Sequence, residues 1–270
     1  MRILITGVAG SIGSELARQL SKKNKVFGID INESGFFDIQ QETGISGRVG
    51  DIRDKEVVHD IFSDFKPEIV YHAGAYKHVP LMEKYPEEAI HTNILGTLNL
   101  ITEAKKWECV EKFINISTDK AVNSSSIMGA TKRMTEIMVK NQGKGFISVR
   151  FGNVLGSRGS VIPIWQKQID NNKPITITHP DMERYMMTIE EAVSLVIKAG
   201  NEGEGGEIFI LDMGEKIKIL DLAKQIISKS RKDIKIDIIG IREGELLTED
   251  IMFEEEKKRA IKSGKFLIIK

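Results

Sequence analysis

The chain has 270 residues, enough for one large α/β domain or two closely joined ones and for a sizeable buried core. Its 39 Lys and Arg cancel its 39 Asp and Glu, so no broad field of one sign draws nucleic acid or an anionic membrane surface, and any bound anion must be gripped locally. A 41% hydrophobic and 29% charged composition excludes disordered and collagen-like chains, and the single cysteine, Cys109, excludes an internal disulfide framework or a cysteine-built zinc site.

In chain order, short β-type runs alternate with amphipathic stretches, the pattern of a parallel sheet covered by helices on both faces. Strands are expected at residues 3–6, 25–30, 48–50, 68–72, 112–117 and 146–151, with helices at 11–22, 55–64, 86–106 and 127–141. The first of these runs, too short for the apolar core of a secretory signal, reads as the opening strand itself. No apolar run reaches the ~18–20 residues of a membrane span, so a cytoplasmic protein without a membrane span is expected. The five histidines lack HExxH spacing, and no metal is expected; His72 and His179 read as structural.

Beyond Phe151 glycine, proline and charge dominate, as in a region shaped around a ligand. The expected fold is a Rossmann-like, doubly wound α/β sheet with a smaller C-terminal substrate-binding part. Residues 1–155 form the dinucleotide-binding domain, to which 188–212 return a helix and a strand, while 156–187 and 213–270 form the smaller part, including a helix at 221–228 and a strand near 234–239. The charge run 254–259 reads as a solvated helix face.

The first strand runs straight into Gly7-Val8-Ala9-Gly10-Ser11-Ile12-Gly13. Glycines at this spacing permit a tight turn, let the backbone approach a pyrophosphate and let the following helix pack on the sheet, with the pyrophosphate at the helix N-terminus. A plain strand–helix turn would also fit such a triplet; its place on the first strand of a six-strand pattern favours the dinucleotide. Asp30 ends the second strand, where a carboxylate accepts from ribose hydroxyls and repels a 2′-phosphate, favouring NAD over NADP. Asp51 and Ile52 follow the third strand and suit the adenine edge, and Ala73-Gly74-Ala75 follow the fourth and let the backbone line the cofactor.

The fifth strand ends in Ser117-Thr118-Asp119-Lys120, and the next helix carries Met128-Gly129-Ala130-Thr131-Lys132. A hydroxyl, a carboxylate and an amine thus meet at the carboxyl end of a central strand, where open α/β sheets bind ligands. The segments YHAGAYKHVPLMEKYPEEAIHTNILGT, STDKAVNSSSIMGATKR, VRFGNVLGSRGSVIP and ITHPDMERYMMTIEEAV resemble the polysaccharide-biosynthesis branch of the extended short-chain dehydrogenase/reductases, whose best-known members are UDP-N-acetylglucosamine 4,6-dehydratases. In that superfamily the helix carries YxxxK; here Met128 takes the tyrosine position and Lys132 remains. The methionine form resembles members that retain configuration at carbon 5.

The resemblance implies a lyase that oxidises carbon 4 of the sugar, removes water across carbons 5 and 6, and returns the hydride to carbon 6. It gives Asp119 the role of acid, with burial raising its pKa, and Lys120 that of base, with neighbours lowering its own. Thr118 would hydrogen-bond the carbon 4 oxygen, and Lys132 would bind the nicotinamide ribose. Local arginines would hold the diphosphate of a UDP-sugar: Arg158, Arg184 and Arg242. Glu245 would accept from the uridine ribose, Asn153 would steady the diphosphate or sugar, and Lys77 and His78 would approach the sugar. The cofactor is NAD or NADP, and a homodimer or higher oligomer is expected through helices 86–106 and 127–141. The alternatives are a UDP-sugar 4-epimerase, a dehydratase that inverts carbon 5, and a non-catalytic NAD(P)-sensing module.

Overall fold

The computed structural model describes residues 1–270, and all six expected strands form in it. They are β1 (Arg2–Thr6), β2 (Lys25–Asp30), β3 (Ser46–Val49), β4 (Ile69–His72), β5 (Lys112–Thr118) and β6 (Phe146–Phe151). They pair in parallel in the order β3-β2-β1-β4-β5-β6. The winding runs from β1 out to one edge and resumes at β4 on the other side of β1, so a crevice opens above the carboxyl ends of β1 and β4. This is the Rossmann-like, doubly wound arrangement.

Burial on both faces explains why these strands, apart from the exposed edge strand β3, read as apolar runs. Along β1, Ile3 and Ile5 face Leu16 and Ala17 of helix Ser11–Leu20 and Val193 and Val196 of helix Ile189–Glu202, while Leu4 faces the opposite layer with Val70, Phe113, Ile61, Leu100 and Val139. The period-two alternation of the strand divides one sequence between two cores. Helix starts are marked by side-chain caps: Asp54 accepts from the amides of Glu56 and Val57, and Ser126 accepts from that of Gly129.

Three helices were not anticipated. Glu33–Thr43 buries only Gly35, Phe36 and Ile39, too sparse a stripe to show as periodicity, and is fixed instead by the Asn32 cap and Gly44 in the left-handed region (φ 69°). Val79–Lys84 is short, and Val161–Asp170 buries only Trp165 and Ile169. The expected helix 86–106 is helical but carries a π turn over Ile90–Gly96. Within it, Asn93 Oδ1 accepts from the Tyr76 amide (2.8 Å) and Asn93 Nδ2 donates to the Tyr76 carbonyl (3.0 Å) and to Thr131 Oγ1 (2.9 Å). The widened turn lets this side chain pin the segment after β4 to helix Ile127–Lys140.

The smaller part packs Trp165, Ile169, Ile175, Ile177, Met182, Ile219 and Ala223 into its own cluster. Two expectations change here. The last residues of the 213–270 region extend the main sheet: Ile208–Leu211 pairs parallel with β6, Phe266–Ile269 pairs antiparallel with Ile208–Leu211, and Ile261–Ser263 closes the edge of nine strands. Phe266 meets Phe209 edge-on at 5.4 Å, which draws the hairpin to the sheet. The charge run 254–259 is not wholly solvated. Glu256 is buried and accepts from Arg150 Nη1 at 2.6 Å, because the fully buried Arg150 of β6 needs more carboxylate than Glu136 provides (2.8 and 2.9 Å).

Candidate active site

The turn after β1 has the geometry that its glycines permit. Gly7 adopts φ +67°, and a Cβ there would lie 2.6 Å from the Gly74 Cα; a Cβ on Gly13 would lie 2.1 Å from the Gly7 carbonyl oxygen. Gly10 precedes helix Ser11–Leu20, which has no side-chain cap, so its first amides keep their donors for a ligand. Asp30 buttresses the turn: Oδ2 accepts from the Ala9 amide and Oδ1 from the Asn32 amide, both at 2.9 Å. Asp51 is ion-paired with Arg53 at 2.7 Å, and Ile52 is buried against Gly96. A dinucleotide pyrophosphate fits this cradle, whose open amides and close backbone leave no room for a side chain.

A cleft of about 600 Å³ runs from this turn across the carboxyl ends of the strands into the smaller part. Gly10 to Gly13, Ala73, Ala75, Thr118, Asp119, Met128 and Asn153 are among its walls, whereas Gly7, Asp30, Asp51, Ile52 and Gly74 are not. Of the charged side chains that line it, six are basic (Lys77, Lys120, Lys132, Arg158, Arg184, Arg242) and three acidic (Asp119, Glu245, Glu249). A neutral chain thus presents a locally basic cleft.

At its centre β5 ends in Thr118, whose hydroxyl donates to Asp119 Oδ1 (2.8 Å). Lys120 Nζ donates to Asp119 Oδ1 (3.0 Å), to Asn153 Oδ1 (3.2 Å) and to Glu249 Oε2 (2.9 Å). Glu249 is buried and also lies 3.4 Å from Arg184 Nε. It was not foreseen, because a glutamate in the charged stretch after residue 240 gives no local signal. Asp119 Oδ2 is buried with no partner.

These contacts reverse the titration expected of Asp119 and Lys120. Burial would raise Asp119, but the Lys120 ammonium holds it below the usual carboxylate range. Burial would lower Lys120, but Asp119 and Glu249 together hold it above its ordinary value. The carboxyl pushed up is Glu249, by burial and by the charge of Asp119. The expectation weighed burial without the mutual contact of adjacent residues. On the next helix Met128 is buried against Val79, Met82 and Ala89, and burial lowers Lys132 to about 8 against the opposing charge of Glu136. His72 accordingly sits between Thr6 Oγ1 (2.7 Å) and Thr97 Oγ1 (2.8 Å), outside the cleft, with burial and Lys132 lowering it to about 3.

The arginines part company. Arg158 lies on the glycine turn, with Nη1 donating to the Ala9 carbonyl (2.8 Å) and its amide to Ser11 Oγ (3.0 Å). Arg184 is buried and donates to the carbonyls of Glu183, Leu246 and Leu247, anchoring the loop that carries Glu249 rather than presenting a fork to a diphosphate. Only Arg242, half exposed beside Glu245 (3.9 Å), keeps its guanidinium free of the backbone. Lys77 Nζ donates to the Arg158 carbonyl (2.9 Å), and His78 packs on Gly159.

Fold and cleft together are those of an extended short-chain dehydrogenase/reductase. More narrowly, the chain belongs to the polysaccharide biosynthesis protein family, whose model matches residues 3–270. It is 48% identical to capsular polysaccharide biosynthesis protein CapD of Staphylococcus aureus over 94% of this chain and 45% of CapD. For the probable polysaccharide biosynthesis protein EpsC of Bacillus subtilis the identity is 46%, over 94% and 45%; the chain spans about half the length of these two relatives. UDP-glucose 4-epimerase of Rickettsia bellii is 35% identical over 98% of this chain and 81% of that one. Among solved structures, Pen from Bacillus thuringiensis superposes with a TM-score of 0.93 at 37% identity, covering 99% of this chain and 87% of Pen. The fold alone is shared with Thermus thermophilus UDP-glucose 4-epimerase, solved with NAD (TM-score 0.84, 24% identity, 93% and 90% covered). No helix is long and apolar enough to cross a membrane.

Proposed function

We propose that this protein is a nucleotide-sugar 4,6-dehydratase that converts a UDP-N-acetylhexosamine, UDP-N-acetylglucosamine above all, to a 4-keto-6-deoxy sugar nucleotide for surface polysaccharide. The observation that carries the reading is the cluster of Thr118, Asp119, Lys120 and Lys132 on the wall of one cleft that begins at the glycine turn. Bound there, a nicotinamide dinucleotide would supply reversible hydride acceptance; Asp30 at the end of β2 supports NAD. Thr118 hydrogen-bonds the carbon 4 oxygen, and Lys132, lowered to about 8 by burial, orients the nicotinamide ribose and by its charge favours loss of the hydroxyl proton. Once carbon 4 is a ketone the carbon 5 proton is acidic, and Lys120 removes it while the neighbouring carboxyls serve the leaving hydroxyl. Arg242 and the basic cleft receive the diphosphate, with Glu245 at the uridine ribose. Exposed Leu95, Leu98, Met134 and Ile137, on and beside the two central helices, support pairing with a second copy through that face.

The second reading, a 4-epimerase, is favoured by the Rickettsia bellii relative. Epimerisation at carbon 4 never breaks the carbon 5 to hydrogen bond, so incubation with UDP-N-acetylglucosamine in deuterated water separates the two. Dehydration gives a keto sugar with solvent deuterium at carbon 5, and Lys120→Ala abolishes it while nicotinamide binding persists. A 4-epimer without deuterium, or unchanged turnover in Lys120→Ala, rejects the proposal.

A further inference from the structure

Lys120 is held as an ammonium between two carboxylates, yet a base must be an amine. The geometry points to Glu249 as the proton-accepting, positioning partner of Lys120: a proton passes from Lys120 Nζ to Glu249 Oε2 along their 2.9 Å contact, so that base and acid are generated together without exchange with solvent. This rests on the dehydratase reading above.

The step balances. Moving one proton converts ammonium and carboxylate into amine and carboxylic acid, with no change in total charge. The amine then takes the carbon 5 proton as the carbon 6 to oxygen bond breaks, and the departing hydroxyl takes the proton held on the Asp119–Glu249 pair and leaves as water. Lys120 ends as an ammonium beside two carboxylates, in the contacts with Asp119 and Glu249 from which the cycle starts. Burial favours the neutral pair over the ion pair, so a cleft closed on substrate lowers the cost of the transfer.

Three features make Glu249 suited to this. It lines the cleft, it is buried, and Arg184, itself fixed to the carbonyls of Leu246 and Leu247, holds it 3.4 Å from Nε. The charged groups that face the pair are Asp119 from the end of β5, Arg184 from the smaller part, and Lys77 from the segment after β4, which burial and then Lys120 depress; Tyr185 stands near Asp119, and Asp250 near Tyr185.

The test compares the pH dependence of keto-sugar formation in wild type, Glu249→Gln and Glu249→Asp, each saturated with NAD. Internal transfer makes the wild-type kcat flat through neutrality. In Glu249→Gln the ammonium must lose its proton to solvent, so kcat falls by about 100-fold near neutrality and climbs about tenfold per pH unit, with KM for the sugar nucleotide within about threefold. Glu249→Asp, which keeps the carboxylate, recovers a flat profile at reduced rate, and it carries the test if Glu249→Gln fails to fold. Bound NAD and circular dichroism are the fold controls. Profiles parallel to wild type in Glu249→Gln, or a climbing profile in Glu249→Asp, overturn the role of Glu249 alone, whereas a wild-type protein that forms no keto sugar overturns the dehydratase reading with it.

Discussion

Replacement of Arg150 by methionine tests how the C-terminal segment is held beneath the site. Arg150 is fully buried and gives four side-chain hydrogen bonds to carboxylates, at 2.8 and 2.9 Å to Glu136 and at 2.6 and 3.2 Å to Glu256, plus one to the Ile251 carbonyl. Methionine fills much of the volume but leaves the two buried carboxylates with only the partly exposed Arg133, 2.9 Å from Glu136 and 3.5 Å from Glu256, as a cationic partner. Removing one partner from such a network costs about 3–5 kcal/mol, roughly 10 °C in Tm for a chain of this size. The loss has a pH signature. Burial raises Glu256, but Arg150 outweighs it and holds it below its ordinary value, so its contribution is present above the ordinary carboxylate pKa and is lost as the pH falls. The deficit of Arg150→Met, read from urea unfolding, is therefore largest at pH 7 and shrinks toward pH 4. A deficit below about 1 kcal/mol at pH 7, or one equal at both pH values, refutes the reasoning.

Two further outcomes follow from the geometry. In Gly13→Ala the new methyl meets the Gly7 carbonyl oxygen at 2.1 Å, and overpacking of about 1–3 kcal/mol weakens NAD binding by about 10–100-fold in calorimetric titration, an unchanged affinity contradicting the cradle. Because His72 is depressed to about 3 from 6.5, it stays neutral in the folded state while the unfolded chain takes up a proton. Its contribution is complete above pH 6.5 and falls by about 2–3 kcal/mol on going to pH 4.5. His72→Asn should lack that slope in urea unfolding, and parallel slopes would count against it.

Much of the fold was legible because the strands of the first half, apart from the exposed edge strand β3, are short apolar runs closed by glycine, aspartate or histidine, and β2 and β6 fall on the expected residues. The C-terminal hairpin was not, because its attachment to Ile208–Leu211 is a tertiary choice that a chain pattern does not carry. In the site, Thr118, Asp119 and Lys120 are contiguous and Lys132 lies one helical stretch beyond, so the cluster could be read along the chain. Glu249 could not, since it reaches Lys120 across 129 positions. The same distance blindness led Arg158 and Arg184 to be read as diphosphate ligands. Their segments are right for a ligand region, but only the folded chain shows Arg158 on the glycine turn and Arg184 on loop carbonyls.

The uncapped start of helix Ser11–Leu20 has a consequence for how the protein meets changing conditions. Backbone amides do not titrate within any range in which the chain stays folded, whereas the groups around Lys120 and Lys132 do. On the reading proposed above, the hold on the pyrophosphate and the speed of the chemistry are thereby separated: acidity would slow turnover without weakening the amide contacts of the glycine turn. A protein stalled in this way would keep the pyrophosphate anchored and resume work as the proton balance returned.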